Sequence, residues 1–314
     1  MKKQSIIFLG AKSIGYQCLK YLIENAARLH LDIKGVLANE KAHIGSEFSL
    51  RELAMQNQIP FIESLDDMLS ADFIYSVQYH LILRKKDIEK ARITAVNLHM
   101  APLPEYRGCN QFSFAIIDNK KEFGATVHLI DEKIDHGDIL FEKRFPIPEN
   151  CWVEQLYSLT FEASLKLFKE SIDDLIGQKF TKVPQANLIE KRGTSLHLRS
   201  EIQNLKQIDF NWEQDKIARH IRATFMPGFE PPFTIIDNKK FTFVKNGNKK
   251  IVCTVTNDLN FDQRMIRICS SLQANGYDVT LVGRVRKKSK DLIPKSFNQK
   301  RLFCFFDKGK NVLY

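Results

Sequence analysis

The chain has 314 residues, 44% hydrophobic and 27% charged, with 23 phenylalanines; such a composition builds a packed core and excludes disorder or a collagen-like fibre. No apolar run reaches the roughly 20 residues that span a bilayer, and the apolar start is broken by Gly10, Lys12 and Gly15 instead of ending in a small-residue cleavage site, so a cytoplasmic protein without stable membrane insertion is expected. The formal net charge of +10 belongs to the tail, because 30 basic residues face 31 acidic ones up to residue 236 and 17 face 6 after it; this argues against a nucleic-acid partner read across the whole surface.

QSIIFLG at the start predicts a buried strand, GYQCLKYLIENAARL a helix with Cys18, Leu19, Leu22 and Ile23 on one face, and DIKGVLAN a second strand. SLRELAMQNQ (helix), PFIES (short strand), LDDMLS (a turn of helix), ADFIYSVQY (strand), RKKDIEKAR (helix) and ITAVNLH (strand) continue the alternation. That order predicts an α/β fold, Rossmann-like, with a mostly parallel sheet and helices on both faces. NQFSFAIIDN predicts a helix ending near Gly124, and ATVHLI and DILFEKRFPI are strands around a polar loop, DEKIDHG. FEASLKLFKESIDDLIG places Phe161, Leu165, Phe168, Ile172 and Leu175 on one helical face, with Gly177 as a C-cap. The first domain is therefore expected to cover 1–183.

Residues 184–248 hold RGTSLHLRSEI, a helical EQDKIARHIRATF, the stop MPGFEPPF and a strand pair around Asp237-Asn238, a small mixed appendage. Residues 249–314 restart with KKIVCTVTN, DQRMIRICSSLQANG and YDVTLVGR, a partial second strand-helix-strand unit of α/β type. Cys18, Cys109, Cys151, Cys253, Cys269 and Cys304 form no CxxC pair, so reduced thiols are expected and neither a zinc site nor a disulfide framework.

The densest chemistry lies in NLHMAPLPEYRGCNQF, residues 97–112. Asn97 and His99 are two apart at the end of a strand, so both side chains point to one face, where open α/β sheets place ligands. Pro102 and Pro104 cannot join a ladder and hold the rim extended. The loop DEKIDHGD offers acids at 131, 132, 135 and 138, any of which could orient an imidazole. Amide, imidazole and carboxylate together suit acyl transfer to an amine, the amide holding a developing oxyanion and the imidazole handling protons.

These residues resemble the formyltransferases that use N10-formyltetrahydrofolate. The resemblance rests on Asn97-x-His99, Leu103-Pro104, Tyr106-Arg107-Gly108, then Gly124, Thr126, His128 and Asp135-His136-Gly137-Asp138, in order over about residues 5–183. It implies Asn97, His99 and Asp135 as the catalytic trio, no metal, and N10-formyltetrahydrofolate as co-substrate held by Leu81, Ile82, Leu83, Asp131 and Ile134. Ala101-Pro102 replaces the Ser-Leu of many members, His136 replaces a Thr, and this run with FMPGFEPPF is similar to the branch that formylates nucleotide-linked amino sugars such as dTDP-4-amino-4,6-dideoxyglucose for surface polysaccharide. The methionyl-tRNA branch carries a larger C-terminal barrel than the 65 or so residues between the first domain and the tail would build. The alternatives carried are methionyl-tRNA formylation and a non-catalytic scaffold fused to a glycosyltransferase.

Gly10 and Gly15 in GAKSIG are spaced for a tight strand-to-helix turn and not for a dinucleotide fingerprint. Arg192, His197 and Arg199 could clamp a diphosphate, Phe229 could stack on a base, and Tyr106 and Arg107 complete the expected substrate contacts. The tail resembles the first strand-helix-strand of GT-B glycosyltransferases over about 35 residues, which would make it a fragment of a fusion. A homodimer is left open.

Overall fold

A computed structural model describes residues 3–38, 48–244, 250–255, 259–260, 262–274, 277–285 and 289–303, which fall in two compact units, Met1–Phe243 and Val244–Tyr314. The first opens with β1 (Gln4–Gly10), α1 (Lys12–Asn25), β2 (Leu31–Ala38), α2 (Leu50–Gln56), β3 (Ala71–Val77), α3 (Lys85–Ile88) and β4 (Ala91–His99). It continues with β5 (Arg107–Gly108), α4 (Gln111–Ile117), β6 (Glu122–Leu129), β7 (Ile139–Pro146) and α5 (Val153–Ile176). The main sheet has the order β2-β1-β3-β4-β6-β7; β1 to β4 run parallel, and β6 and β7 pair antiparallel. Because the chain steps from β1 outward to β2 and then back to β3, the topological switch lies between β1 and β3, where a crevice opens at the strand ends.

Side chains on β1 alternate between two cores, as a strand buried on both faces requires. Ile6 and Phe8 pack with Ile14, Cys18, Leu19 and Leu22 of α1 and with Phe168 and Ile172 of α5, whereas Ile7 and Leu9 join Leu65, Met68 and Leu83 on the opposite face. Phe168 is fully buried and meets Tyr75 and Tyr21 edge-on at ring-centroid distances of 5.0 and 6.1 Å. A single residue, Ala11, links β1 to α1, its N–H donating to Val77 O at 3.1 Å, so the tight turn expected from GAKSIG is present.

Several elements differ from the sequence reading. Residues 60–64 form one bridge, Phe61 to Val36, instead of a strand, and 65–70 form turns instead of a helix. The helix read over 110–119 ends at Ile117, and Gly124 lies inside β6, where an added Cβ would stand 2.5 Å from Lys143 O of β7; close strand approach, not helix termination, is what that glycine serves. α5 starts at Val153, eight residues before the expected face begins, and buries Thr160, Ser164 and Ser171 beside Leu156, Leu167, Phe168, Ile172 and Leu175. Thr160 and Ser171 satisfy their hydroxyls on the carbonyls four residues back, which lets these two polar side chains lie in the buried face, whereas the Ser164 hydroxyl has no partner.

The same unit continues through α6 (Ile189–Arg192), β8 (Leu196–His197), α7 (Ile202–Lys206), α8 (Gln214–Thr224), β9 (Phe233–Ile236) and β10 (Lys239–Thr242). Asp237 and Asn238, both at positive φ, turn β9 into β10, the two-residue hairpin geometry that Asn and Asp tolerate. β8 pairs with β5, which brings residues 195–199 back to the end of the main sheet.

In the second unit β11 (Lys250–Thr254), α9 (Gln263–Ala274) and β12 (Asp278–Val285) form the expected strand-helix-strand, and β13 (Asn298–Phe303) adds a third parallel strand absent from the sequence reading. Ile266, Cys269, Val279 and Leu281 form its core. Cys304, the sixth cysteine, lies outside the described residues, and the other five are free thiols. Among the described residues no helix is long and apolar enough to cross a membrane.

Candidate active site

β4 brings Asn97 and His99 to one face of the sheet, and its antiparallel neighbour β6 sets His128 opposite Asn97 and Thr126 opposite His99. The loop between β6 and β7 then folds Asp135 over both. Asp135 Oδ2 lies 3.5 Å from His99 Nδ1, and Oδ1 lies 3.4 Å from both Asn97 Nδ2 and His128 Nε2. The Gly108 N–H donates to Asp135 Oδ2 at 2.9 Å.

Holding Asp135 in this place needs backbone that few sequences supply. Asp135 itself is at φ +45°, a left-handed conformation that Asp tolerates better than most residues. Gly137 follows with no room for a Cβ, which would fall 2.0 Å from Leu129 O. Gln185 Nε2 donates to the carbonyls of both Asp135 and Gly137, at 2.9 and 2.8 Å. Gly108, at φ +85°, would drive a Cβ to 2.3 Å from His197 O, so β5 can offer its N–H to the carboxylate only as glycine.

The histidine hydrogen bonds fix which ring edge faces the site. His99 Nε2 stands 2.7 Å from Tyr106 O and His128 Nδ1 2.7 Å from Leu129 O; a carbonyl only accepts, so both nitrogens carry hydrogen. His99 therefore turns Nδ1 toward Asp135, and His128 turns Nε2 toward Asn97 Nδ2, 3.2 Å away. Burial by itself raises the Asp135 carboxyl, but the His99 and His128 rings beside it and the hydrogen bond from the Gly108 N–H outweigh it. The net result is a carboxyl held well below the ordinary carboxylate range and ionised at neutral pH.

At the switch crevice Lys12, just past β1, donates to Gln78 Oε1 just past β3 at 3.0 Å. Desolvation and then the neighbouring Arg199 charge lower the Lys12 ammonium, against a smaller opposite pull from Cys109. Two cations thus share that mouth. Arg199 follows β8, and Asn110 Nδ2 donates to the carbonyl of Leu198 at 2.8 Å, fastening that segment beside β5.

The remaining expected residues spread over several places. Leu81 and Ile82 are exposed and Leu83 is buried, in the loop that leaves β3 where Val77 pairs with Leu98. Ile134 is exposed in the loop leaving β6, and Asp131 binds His136 Nδ1 at 2.6 Å. Tyr106 is buried and donates its hydroxyl to Asp118 at 2.8 Å; what it gives the site is its carbonyl, on His99. Arg192 pairs with Glu142 at 3.0 Å and donates to Leu103 O. His197 stacks on Phe114 and approaches Glu201 at 3.1 Å. Phe229 is exposed and Arg107 is half-buried with no partner for Nε. Lys12, Gln78, His128 as a direct neighbour of Asp135, and Gln185 were missed as site residues in the sequence. Only His128 had a local signal, two places after Thr126 on a strand paired with β4. No group of His, Cys, Asp and Glu among the described residues could hold a metal ion.

Residues 30–172 match the family model described as formyl transferase. The bifunctional polymyxin resistance protein ArnA of Wigglesworthia glossinidia brevipalpis is 25% identical over 254 residues, covering 77% of this chain and 37% of that protein. The chain thus spans little more than a third of that relative. A methionyl-tRNA formyltransferase of Clostridium novyi is 27% identical over 64% of this chain and 72% of its own. Among solved structures, an N-formyltransferase from Helicobacter canadensis, in complex with folinic acid and dTDP-3-aminofucose, superposes with a TM-score of 0.63 at 24% identity, over 82% of this chain and 93% of its own.

Proposed function

We propose, from the match of residues 30–172 to the formyl transferase family model, that the chain transfers a formyl group from N10-formyltetrahydrofolate to the amine of a nucleotide-linked deoxy-amino sugar. The observation that carries this reading is the convergence of Asn97 and His99 on Asp135, with every contact at 3.4 to 3.5 Å. Those distances are long for hydrogen bonds, so the amide N–H and the imidazole edge are not committed to the carboxylate and can face a reacting carbonyl between them.

The donor supplies an activated one-carbon acyl unit. Asn97 Nδ2 and the His99 ring stabilise negative charge developing on the formyl oxygen, in a site where donors are already oriented. The Asp135 carboxylate keeps the imidazole edge aligned and offsets the positive charge on nitrogen as the amine bonds to the formyl carbon; collapse of that adduct would break the C–N10 bond, the proton lost by the amine would pass to N10, and tetrahydrofolate would leave. Tyr106 O prevents the His99 ring from turning over. Leu81 and Ile82 from the β3 loop and Ile134 from the β6 loop flank β4 with exposed apolar surface, which fits a planar heterocycle seated beside Asn97.

Two features favour a nucleotide-linked sugar as acceptor. Lys12 and Arg199 put two cations at the β1–β3 crevice, where a diphosphate would neutralise both. The Helicobacter canadensis N-formyltransferase, solved with dTDP-3-aminofucose, superposes over 93% of its own chain. The product suits surface polysaccharide such as O-antigen, and the five free cysteines suit work in the cytoplasm. The test is incubation of the full chain with N10-formyltetrahydrofolate and a panel of dTDP- and GDP-linked 3- and 4-amino sugars, with products read by mass. Formylation of at least one is expected. No turnover on any, with formylation of charged initiator tRNA instead, would replace the sugar by methionyl-tRNA.

A further inference from the structure

A cavity of about 310 Å³ lies between α8 and the two turns at residues 118–121 and 147–151, lined among others by Lys120, Lys121, Glu149, Cys151, Arg219 and Arg222. It stands apart from the Asn97, His99 and Asp135 cluster: Lys121 precedes β6 and is seven residues from His128, which in an extended strand is about 23 Å. Four cations line it against the single carboxylate of Glu149.

Arg219 and Arg222 are the telling pair. They are three residues apart on α8, hence on one helical face. Both have Nε buried with no hydrogen-bond partner, and neither has an ion pair among the described residues, although each could donate five hydrogen bonds. Arg222 is lowered first by burial and then by the Arg219 charge, with Cys151 and Asp215 pulling the other way. Lys121 Nζ reaches only the neutral Asn119 Oδ1, at 3.4 Å. By contrast, Arg144 meets Glu105, Glu122 and Glu142, and Arg192 meets Glu142.

Buried guanidinium donors are ordinarily paired, and leaving one without an acceptor costs more than the pair returns. We infer that this cavity is an anion site whose ligand is a phosphate-bearing small molecule, held by Arg219 and Arg222 with Lys120 and Lys121 at its edge. Two guanidinium groups match tetrahedral oxyanions through several donors at once, and the volume lies at the lower end for small-molecule pockets, enough for a phosphate or diphosphate group. Because α8 packs on α4 and α5, ligand there would brace the appendage on the main sheet.

The probes are inorganic phosphate and pyrophosphate, added to the full chain at constant ionic strength with thermal unfolding as readout. A ligand that binds only the folded state raises Tm with concentration. The expected result is a saturable rise in wild type that is kept in Lys12→Gln, which removes a cation of the β1–β3 crevice, and lost in Arg219→Gln and Arg222→Gln. Formyl transfer itself should be unaffected by the latter two. A rise kept in Arg222→Gln but lost in Lys12→Gln would assign the binding to the crevice and overturn the inference, as would no rise in wild type. Should the arginine variants unfold, Lys120→Gln with Lys121→Gln tests the same site from its edge, with at least a tenfold weaker midpoint concentration expected and an unchanged midpoint counting against it.

Discussion

Asp135 has two hydrogen-bonding tasks that pull on one side chain, receiving the Gly108 N–H on Oδ2 and facing His99, Asn97 and His128 across both oxygens. If it aligns the reactive imidazole, His99→Ala and Asp135→Ala should each lower kcat by at least about 10²-fold while folate affinity stays close to wild type. Single-turnover rates together with folate binding would separate the two effects, and a variant with near-full rate would remove that residue from the chemistry. The carboxyl also links stability to pH. Its native pKa lies below that of the unfolded chain, near ~3.9, so its stabilising contribution is complete above that value and is lost as pH falls toward the native pKa. The stability gap between wild type and Asp135→Asn in urea should therefore be widest near neutral pH and narrow below about pH 4. A gap that widened with acid would contradict the ionised carboxylate.

At the scale of elements, the loop between β6 and β7 determines whether Asp135 arrives. Gln185, fifty residues downstream of Asp135, is its anchor, and a Leu there would leave two buried carbonyls without a donor. Gln185→Leu should cost about 1–3 kcal/mol of stability and depress kcat more than KM, because the contact positions the carboxylate without touching substrate. Unfolding midpoints and steady-state kinetics check both; a change in KM alone would mean that the loop serves binding. The alternation of strands and helices up to His99 was legible because apolar runs of a few residues between amphipathic helices admit little else. The failures share one cause: the backbone of PFIES bonds to Val36 alone and that of LDDMLS only closes a local turn, so neither extends into a regular element, and α5 extends past its strongest apolar face because Thr160 and Ser164 lie against the sheet. Local pattern does not report which small polar residue will be covered.

For the whole molecule, every residue assigned to the site lies in the unit ending at Phe243. A chain stopped there should retain kcat within about twofold, since no site residue is removed; a loss beyond tenfold on the same amino-sugar assay would give residues 244–314 a part in catalysis. The surplus of basic residues after 236 falls mostly in the second unit, which is why net charge is a poor guide to the acceptor.

The sequence by itself determined the α/β class, the sites of Asn97 and His99 at the end of a strand, and the acid-bearing loop that could meet them, because period-two spacing and strand order are local properties. Folding in three dimensions decided the rest. It selected Asp135 among four acids through a left-handed backbone and the Gly108 N–H, and it turned Tyr106 inward. It also brought Lys12 from the first turn to Arg199 from the last third of the unit. Those choices depend on contacts between residues far apart in the chain, and no window of sequence contains both partners.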